Sequence, residues 1–339
     1  MNRTEINKLA SSGSLDGVPL EGRVIETHIS WVILSADVAV KIKKPVRLSF
    51  LDFSTLNLRK KFCRREFLLN SKWSNIYRGV TPIRRKDGKL IVGGRDGRIV
   101  DYAVIMRRVN DNLRMDVLLQ QDKVSISDVR KLAIRLAHVH SKSRVIKRPF
   151  SLTYARNLFN DIHEFNETIK KTGGRSMTTL VQRSIEWSNS FLLQHKERFQ
   201  ERIRKGFQRD VHGDLHSGNI FMEEQPVIFD CIEFNDRYRQ ADILYDIAFL
   251  AMDIEAYGHS KLAAAMLHQY ANRIECIDGP EDLAILNYFK CLRANVRAKV
   301  HLVQVAQSKD KRHLKEHTKA ARRYLRVMEK YIDNDLNNL

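Results

Sequence analysis

The sequence predicts an α+β chain of two lobes: a small antiparallel sheet with one helix, then a larger and mainly helical body. Two patterns carry this. From about residue 20 to 108 short apolar runs alternate with period two between turn residues, and from 126 onward apolar residues recur at helical spacing. Size agrees, because 339 residues of which 43% are hydrophobic can fill two cores.

In the first lobe VIETHI, WVIL and VAVKI, separated by Ser30 and by SAD, read as a three-strand meander. IVGGRDGRIVDYAVIMRRV, with its GG and DG turns, supplies two more strands. One helix lies between them, with Asp52 or Ser54 as its expected cap. Helices are then expected in SDVRKLAIRLAHVH, at about 153–170, 178–203, 241–256 and 260–273, and over 281–331 in two or more pieces. His138 and His140 read as a core-facing pair. There is no internal repeat or low-complexity tract. The boundary falls near 106–112, giving an N-terminal lobe of 1–108 and a C-terminal lobe of 109–339.

The formal net charge is +19, and it sits at the ends. Residues 1–110 carry 22 Lys+Arg against 10 Asp+Glu, net +12, and residues 290–330 carry 13 against 3, net +10; residues 111–289 are balanced at 24 against 25. Separated basic zones fit solvated faces or an anionic ligand or polyanion. The best apolar run, ILYDIAFLAMDI, is broken by Asp246 and Asp253, and MNRTEINKLASSGS has no secretory apolar core. No membrane association is expected, and the cytoplasm is. Four scattered cysteines without a CxxC pair suggest neither zinc nor a disulfide framework, and they are expected to be reduced.

Chemistry concentrates in VHGDLHSGNIF (211–221) and VIFDCIEF (227–234). IFM and VIF read as strands joined by EEQP, a hairpin that brings Asn219, before the first strand, beside Asp230, after the second. Asp214 lies just upstream on a glycine-flanked loop. Oxygen ligands without a cysteine suit Mg²⁺, which takes one or two protein ligands and keeps waters or substrate phosphates. In SFLDFSTLNLRKKFCRREFLLNSKW, Leu58, Phe62, Leu69 and Trp73 form a helical stripe that contains Glu66. A carboxylate on that face needs a cation: Lys41 on the third strand, or Arg59 or a nearby surface base.

His212-Gly-Asp214 followed by Asn219 and then the strand-end Asp230 resembles the catalytic segment of the aminoglycoside phosphotransferase and choline kinase superfamily, relatives of protein kinases. ADILYDIAFL resembles that family's second acidic helix start. VIETHISWVILSADVAVKIKKPVRLSFLDFST through CRREFLLN resembles a bacterial subgroup often fused to a C-terminal P-loop domain. G-x-x-x-x-G-K-[ST] does not occur here, so that domain is expected to be absent. The resemblance spans roughly residues 20 to 300.

It implies a two-lobed protein-kinase-like fold and an ATP-dependent phosphotransferase acting on an acceptor hydroxyl. Asp214 would be the catalytic base with His212 bracing its loop. Lys41 and Glu66 would hold the nucleotide phosphates, Asn219 and Asp230 would bind Mg²⁺, and Asp246 would accept hydrogen bonds from the loop. His216 and Glu233 are candidate acceptor contacts. No G-x-G-x-x-G joins the first strands; the turn is His28, Ile29, Ser30, where backbone N–H groups and the Ser30 hydroxyl would cradle phosphate, and GTP stays open as donor. Arg293 and Arg297, four apart on one helix, suggest an anionic acceptor, small molecule or RNA.

Two rival classes are a metallophosphoesterase and a nucleic-acid-binding protein with a vestigial kinase fold. GDxH near GN resembles the metal-binding motifs of the first, but a second acid–His pair and a GNH segment are missing. The basic ends motivate the second, which lacks a zinc finger, an RRM motif or a helix-turn-helix. A binding module has no need of Lys41, Glu66, Asp214, Asn219 and Asp230 in kinase order.

Overall fold

The computed structural model describes residues 1–48, 50–308 and 310–336. In chain order the elements begin α1 (Arg3–Ser12), β1 (Ser14–Leu15), β2 (Val18–Pro19), β3 (Arg23–Glu26), β4 (Ser30–Leu34), β5 (Val38–Lys43), β6 (Arg47–Leu48), β7 (Leu51–Asp52), α2 (Leu56–Asn70), β8 (Tyr77–Lys86), β9 (Lys89–Val92) and β10 (Arg98–Arg107). They continue with α3 (Met115–Gln120), α4 (Ile126–Lys142), α5 (Leu152–Asn160), α6 (Asn166–Gln194), α7 (Lys196–Arg204), β11 (Gln208–Asp210), β12 (Ile220–Phe221), β13 (Val227–Ile228), α8 (Asp236–Arg239), β14 (Gln240–Asp242), α9 (Ile243–Ala256), α10 (Ser260–Ala271), α11 (Pro280–Gln307) and α12 (Lys311–Leu336).

The chain divides into two compact units, Met1–Arg114 with Asn219–Arg239, and Met115–Gly218 with Gln240–Leu339. The sequence boundary at 108/109 assigned 219–239 to the helical body. The hairpin instead groups with the sheet, because Met222 N–H donates to the Leu113 carbonyl and Phe221 bridges to Arg114.

The first unit is built on an eight-stranded sheet of order β2-β1-β9-β8-β10-β5-β4-β3, antiparallel except where β1 runs beside β9. The meander β3-β4-β5 pairs in the register that its alternation requires, with Val40 against Ile33 and Ile42 against Trp31. α1, β1, β2, the β6–β7 pair and β8 were not expected from sequence. α1 is closed by a reciprocal cap between Asn2 and Glu5 and buries Ile6, Leu9 and Ala10. β1–β2 forms a short hairpin beside it. β8 pairs with both β9 and β10 despite Gly79 and Pro82.

The cap of α2 also differs: Thr55 Oγ1 accepts from Leu58 N–H, while Asp52 takes the Ser54 N–H and hydroxyl in the preceding turn. The buried stripe of α2 is Arg59, Cys63, Glu66 and Asn70, one position from the expected one, with Glu66 inside it. Arg59 pairs with Asp101 at 2.8 Å, which removes it as a partner for Glu66.

The second unit is helical. α9 is buried along Ile243–Ile254, the mark of a helix enclosed on all sides, and it carries two acids, Asp246 and Asp253. α6 is kinked at Gly174, whose φ of 73° leaves the helical region. Of the histidine pair on α4, His140 is buried and His138 is exposed. All four cysteines are buried free thiols. Among the described residues no helix is long and apolar enough to cross a membrane.

Candidate active site

Period-two alternation on β5 sends Lys41 and Lys43 to one face and Val40 and Ile42 into the opposite core. Both lysines meet Glu66 of α2: Lys41 Nζ lies 2.7 Å from Oε1 and Lys43 Nζ 2.7 Å from Oε2. Lys41 also lies 2.5 Å from Asp230 Oδ1, and Lys43 pairs with Glu233 and sits over the Phe53 ring. Two ammoniums thus face three carboxylates within one unit. Glu66 is fully buried, and Asp230, with 43% of its side chain exposed, is the carboxylate open to solvent.

The charges hold one another ionised. Burial alone would lower the Lys41 pKa, but Asp230 and Glu66 raise it well above the ordinary value. Burial would likewise raise Glu66, and the two lysines bring it down to about 2. Glu233 goes the other way: burial, with the repulsion of Glu66, outweighs the pull of Lys43 and raises it.

Asp230 is placed by its backbone. The β12–β13 hairpin pairs Ile220 with Ile228, and Phe229 N–H donates to the Asn219 carbonyl at 3.1 Å, so Asn219 and Asp230 come to the same end of the hairpin. Asp230 has φ of 63°, a left-handed conformation uncommon for a residue with a side chain, and its N–H donates to the Tyr77 hydroxyl at 3.0 Å. The next N–H, of Cys231, donates to Asn70 Oδ1 on α2 at 2.8 Å.

In the second unit the loop around Asp214 is fastened at both ends to α9. Asp246 accepts from His212 N–H at 3.0 Å and Gly213 N–H at 2.9 Å. Two turns further along, Asp253 accepts from the N–H and hydroxyl of Ser217 and, at 2.6 Å, from Tyr324. Asp246 is in turn 3.1 Å from His140 Nε2, whose other nitrogen lies 2.6 Å from the Tyr270 hydroxyl. Burial would raise the Asp246 pKa, but the hydrogen bond and charge of His140 hold it below the ordinary value. Gly213, with φ of 82°, takes a turn that a side chain would strain, and at Gly218 a Cβ would meet the His216 ring at 2.8 Å. Asp214 itself keeps 40% of its side chain exposed.

Several expectations are corrected. Glu233 is not open to an acceptor: only 3% of its side chain is exposed, and it is paired with Lys43. Ser30 is fully buried, with its hydroxyl turned away from solvent, so it cannot cradle a phosphate. Arg293 is buried, donates to the Gly213 carbonyl at 2.6 Å and the Tyr245 hydroxyl at 2.7 Å, and lies 3.6 Å over the Phe249 ring. Arg297 lies 3.5 Å from His216 Nε2 and packs over the Tyr324 ring. Their charges are committed to bracing the loop, so they give no ground for an anionic acceptor. The His216 ring lies tilted at 56° against Phe249, centroids 5.4 Å apart, and sits 3.7 Å from Asp214 Oδ2.

Lys43, His140 and Asp253 were missed. The VAVKIK alternation and the seven-residue spacing of Asp246 and Asp253 were signals for two of them.

Known proteins resemble this chain in sequence and in fold. Residues 121–286 match the model of the APH phosphotransferase enzyme family. An uncharacterized protein of Mycobacterium tuberculosis and one of Mycobacterium bovis are each 29% identical over 309 residues, 88% of this chain. The chain spans 59% of the length of these curated relatives. Among solved structures, an APH(2") enzyme in complex with GDP and kanamycin is similar at a TM-score of 0.52 and 14% identity, over 98% of this chain and 99% of that one. A choline kinase from Cryptosporidium parvum gives a TM-score of 0.52 at 14% identity over 94% and 92%. These likenesses show a protein-kinase-like fold.

Proposed function

We propose that this chain, whose residues 121–286 match the model of the APH phosphotransferase enzyme family, moves the γ-phosphoryl group of a nucleoside triphosphate to the hydroxyl of an acceptor. The observation that carries the reading is Lys41, gripped by Glu66 at 2.7 Å and reaching Asp230 at 2.5 Å. Phosphoryl transfer asks a protein mainly for positioning and for neutralisation of phosphate charge. A lysine held ionised on a strand, its direction fixed by a buried helix carboxylate, supplies both for the α and β phosphates.

Asn219 and Asp230 fit a magnesium site. Their donors are an amide oxygen and a carboxylate, the hard ligands this ion prefers, and Asp230 is the carboxylate of the cluster that is open to solvent. Bound there, Mg²⁺ would neutralise charge on the β- and γ-phosphate oxygens. ATP is the donor of this reading and GTP the alternative, the latter supported by the GDP named for similar aminoglycoside phosphotransferase structures.

Asp214 would accept or orient the proton of the acceptor hydroxyl, a role worth about 10² to 10⁴ in rate. Its half-open carboxylate stands on a loop whose N–H groups are fixed by Asp246 and Asp253. His212 and Arg293 would position that loop. The acceptor is a hydroxyl-bearing molecule, and the reading assigns it no charge. Four reduced, buried thiols are consistent with a cytoplasmic setting.

The test is thermal stabilisation by ATP with Mg²⁺ and with EDTA. ATP should raise Tm with the metal and much less without it, and Asp230→Ala should remove the difference. Equal stabilisation in both buffers would overturn the metal assignment.

A further inference from the structure

One charge array belongs to neither the loop nor the lysine cluster. Along α12, Lys311, Lys315, Lys319, Arg322, Arg326 and Lys330 follow one another at steps of four, four, three, four and four residues, and all six are exposed. At 3.6 residues per turn they share an arc of about 100°, and at 1.5 Å per residue the ridge runs about 29 Å. The opposite face is closed inside the unit, where Ala321, Tyr324, Leu325, Met328 and Ile332 are at most 1% exposed. From Lys311 to Arg326 no acid falls within the arc; Glu316 lies to its side. Beyond it Glu329 and Asp333 are taken by Arg183 of α6, at 3.8 and 2.9 Å.

α6 widens the array. Arg322 donates to the Thr172 carbonyl, and Lys171 and Arg175, both exposed, flank that contact.

We propose that this ridge docks the phosphodiester backbone of a nucleic acid, its cations meeting successive phosphates and reading no bases. Like charges four residues apart on a helix repel, and from Lys311 to Arg326 no acid lies on the arc between them, so a linear polyanion relieves what the fold leaves strained. Four residues of helix advance about 6 Å, a step suited to successive phosphates of a strand. The stripe carries no aromatic residue on which bases could stack, which makes the contact independent of sequence. A membrane surface fits less well, because an interfacial helix inserts an apolar face and that of α12 is already buried. The inference goes beyond the phosphotransferase reading and does not rest on it.

Fluorescence anisotropy of the full chain with a labelled single-stranded RNA of about 20 nucleotides, and with a DNA duplex of about 20 base pairs, tests it across a salt series. At least one probe should bind. With six phosphates met on a single strand, log K should fall against log salt with a slope of about −4. Lys315→Glu with Lys319→Glu and Arg326→Glu should weaken binding at least tenfold. The same three positions changed to Gln, with Tm unchanged, should flatten the single-strand slope by about 2. Absence of binding to both probes, or affinity and slope indifferent to both variants, overturns the proposal. So does binding of phosphatidylserine vesicles through these residues by a chain that ignores RNA and DNA.

Discussion

Lys43 and Glu233 form an ion pair across 190 residues of sequence, with 1% and 3% of their side chains exposed. Glu233 follows Asp230 by three positions and Lys43 follows Lys41 by two, so the pair anchors the Asp230 segment to β5 beside the contact that Lys41 makes. Removing one partner of a buried pair leaves the other charge uncompensated, at a cost of about 3–5 kcal/mol. Lys43→Met should therefore lower unfolding stability by that order in denaturant titration. Lys43→Met combined with Glu233→Leu should recover much of the loss. A single change worth less than about 1 kcal/mol would show that the pair is not enclosed as described.

Glu66 gives the protein an acid-sensitive element. Its folded pKa of about 2 lies below the ordinary 4.5, because the two lysines outweigh the burial that would raise it. A carboxyl depressed on folding contributes stability fully above its unfolded pKa and loses it as pH falls through the folded value. The stability margin of the wild type over Glu66→Gln should thus be constant above about pH 4.5 and shrink between 4.5 and 2. A margin that stays flat over that window would remove the ionised Glu66 from the account.

The loop brace separates positioning from nucleotide binding. Asp253→Ala leaves the Ser217 N–H and the Tyr324 hydroxyl without their acceptor, an expected cost of about 1–3 kcal/mol for each buried group left unsatisfied. Because Asp253 fastens the loop that carries Asp214, turnover should fall while ATP affinity stays within a few-fold. Loss of ATP affinity in step with turnover would place the effect of Asp253 on the nucleotide.

Most of what bears on chemistry was legible in sequence wherever spacing within one element decided it. The alternation of β3, β4 and β5, the hairpin that joins Asn219 to Asp230, and the acid on the buried stripe of α2 are of this kind. β8 was not legible, because Gly79, Pro82 and four basic residues in YRGVTPIRRK hide a strand held by backbone pairing on both sides. α1 was read only as a polar start, although Asn2 and Glu5 stand at capping-box spacing before Ile6, Leu9 and Ala10. The fates of Glu233, Arg293 and Ser30 depend on partners far away in sequence or on burial, and no local pattern reports either. Arg293 and Arg297 show the consequence: a shared helix face was predicted correctly, yet that face turns toward Gly213, Phe249 and His216 and leaves no charge for an acceptor.

Asp214→Asn separates phosphoryl transfer from nucleotide binding. Wild type and variant are compared for ATP affinity and for ATP consumption against a panel of hydroxylated metabolites that includes small RNAs. ATP affinity should stay within a few-fold of wild type, and turnover should fall by about 10² or more on whichever acceptor the wild type uses. Turnover that survives the substitution would contradict the role of Asp214 and place the base elsewhere.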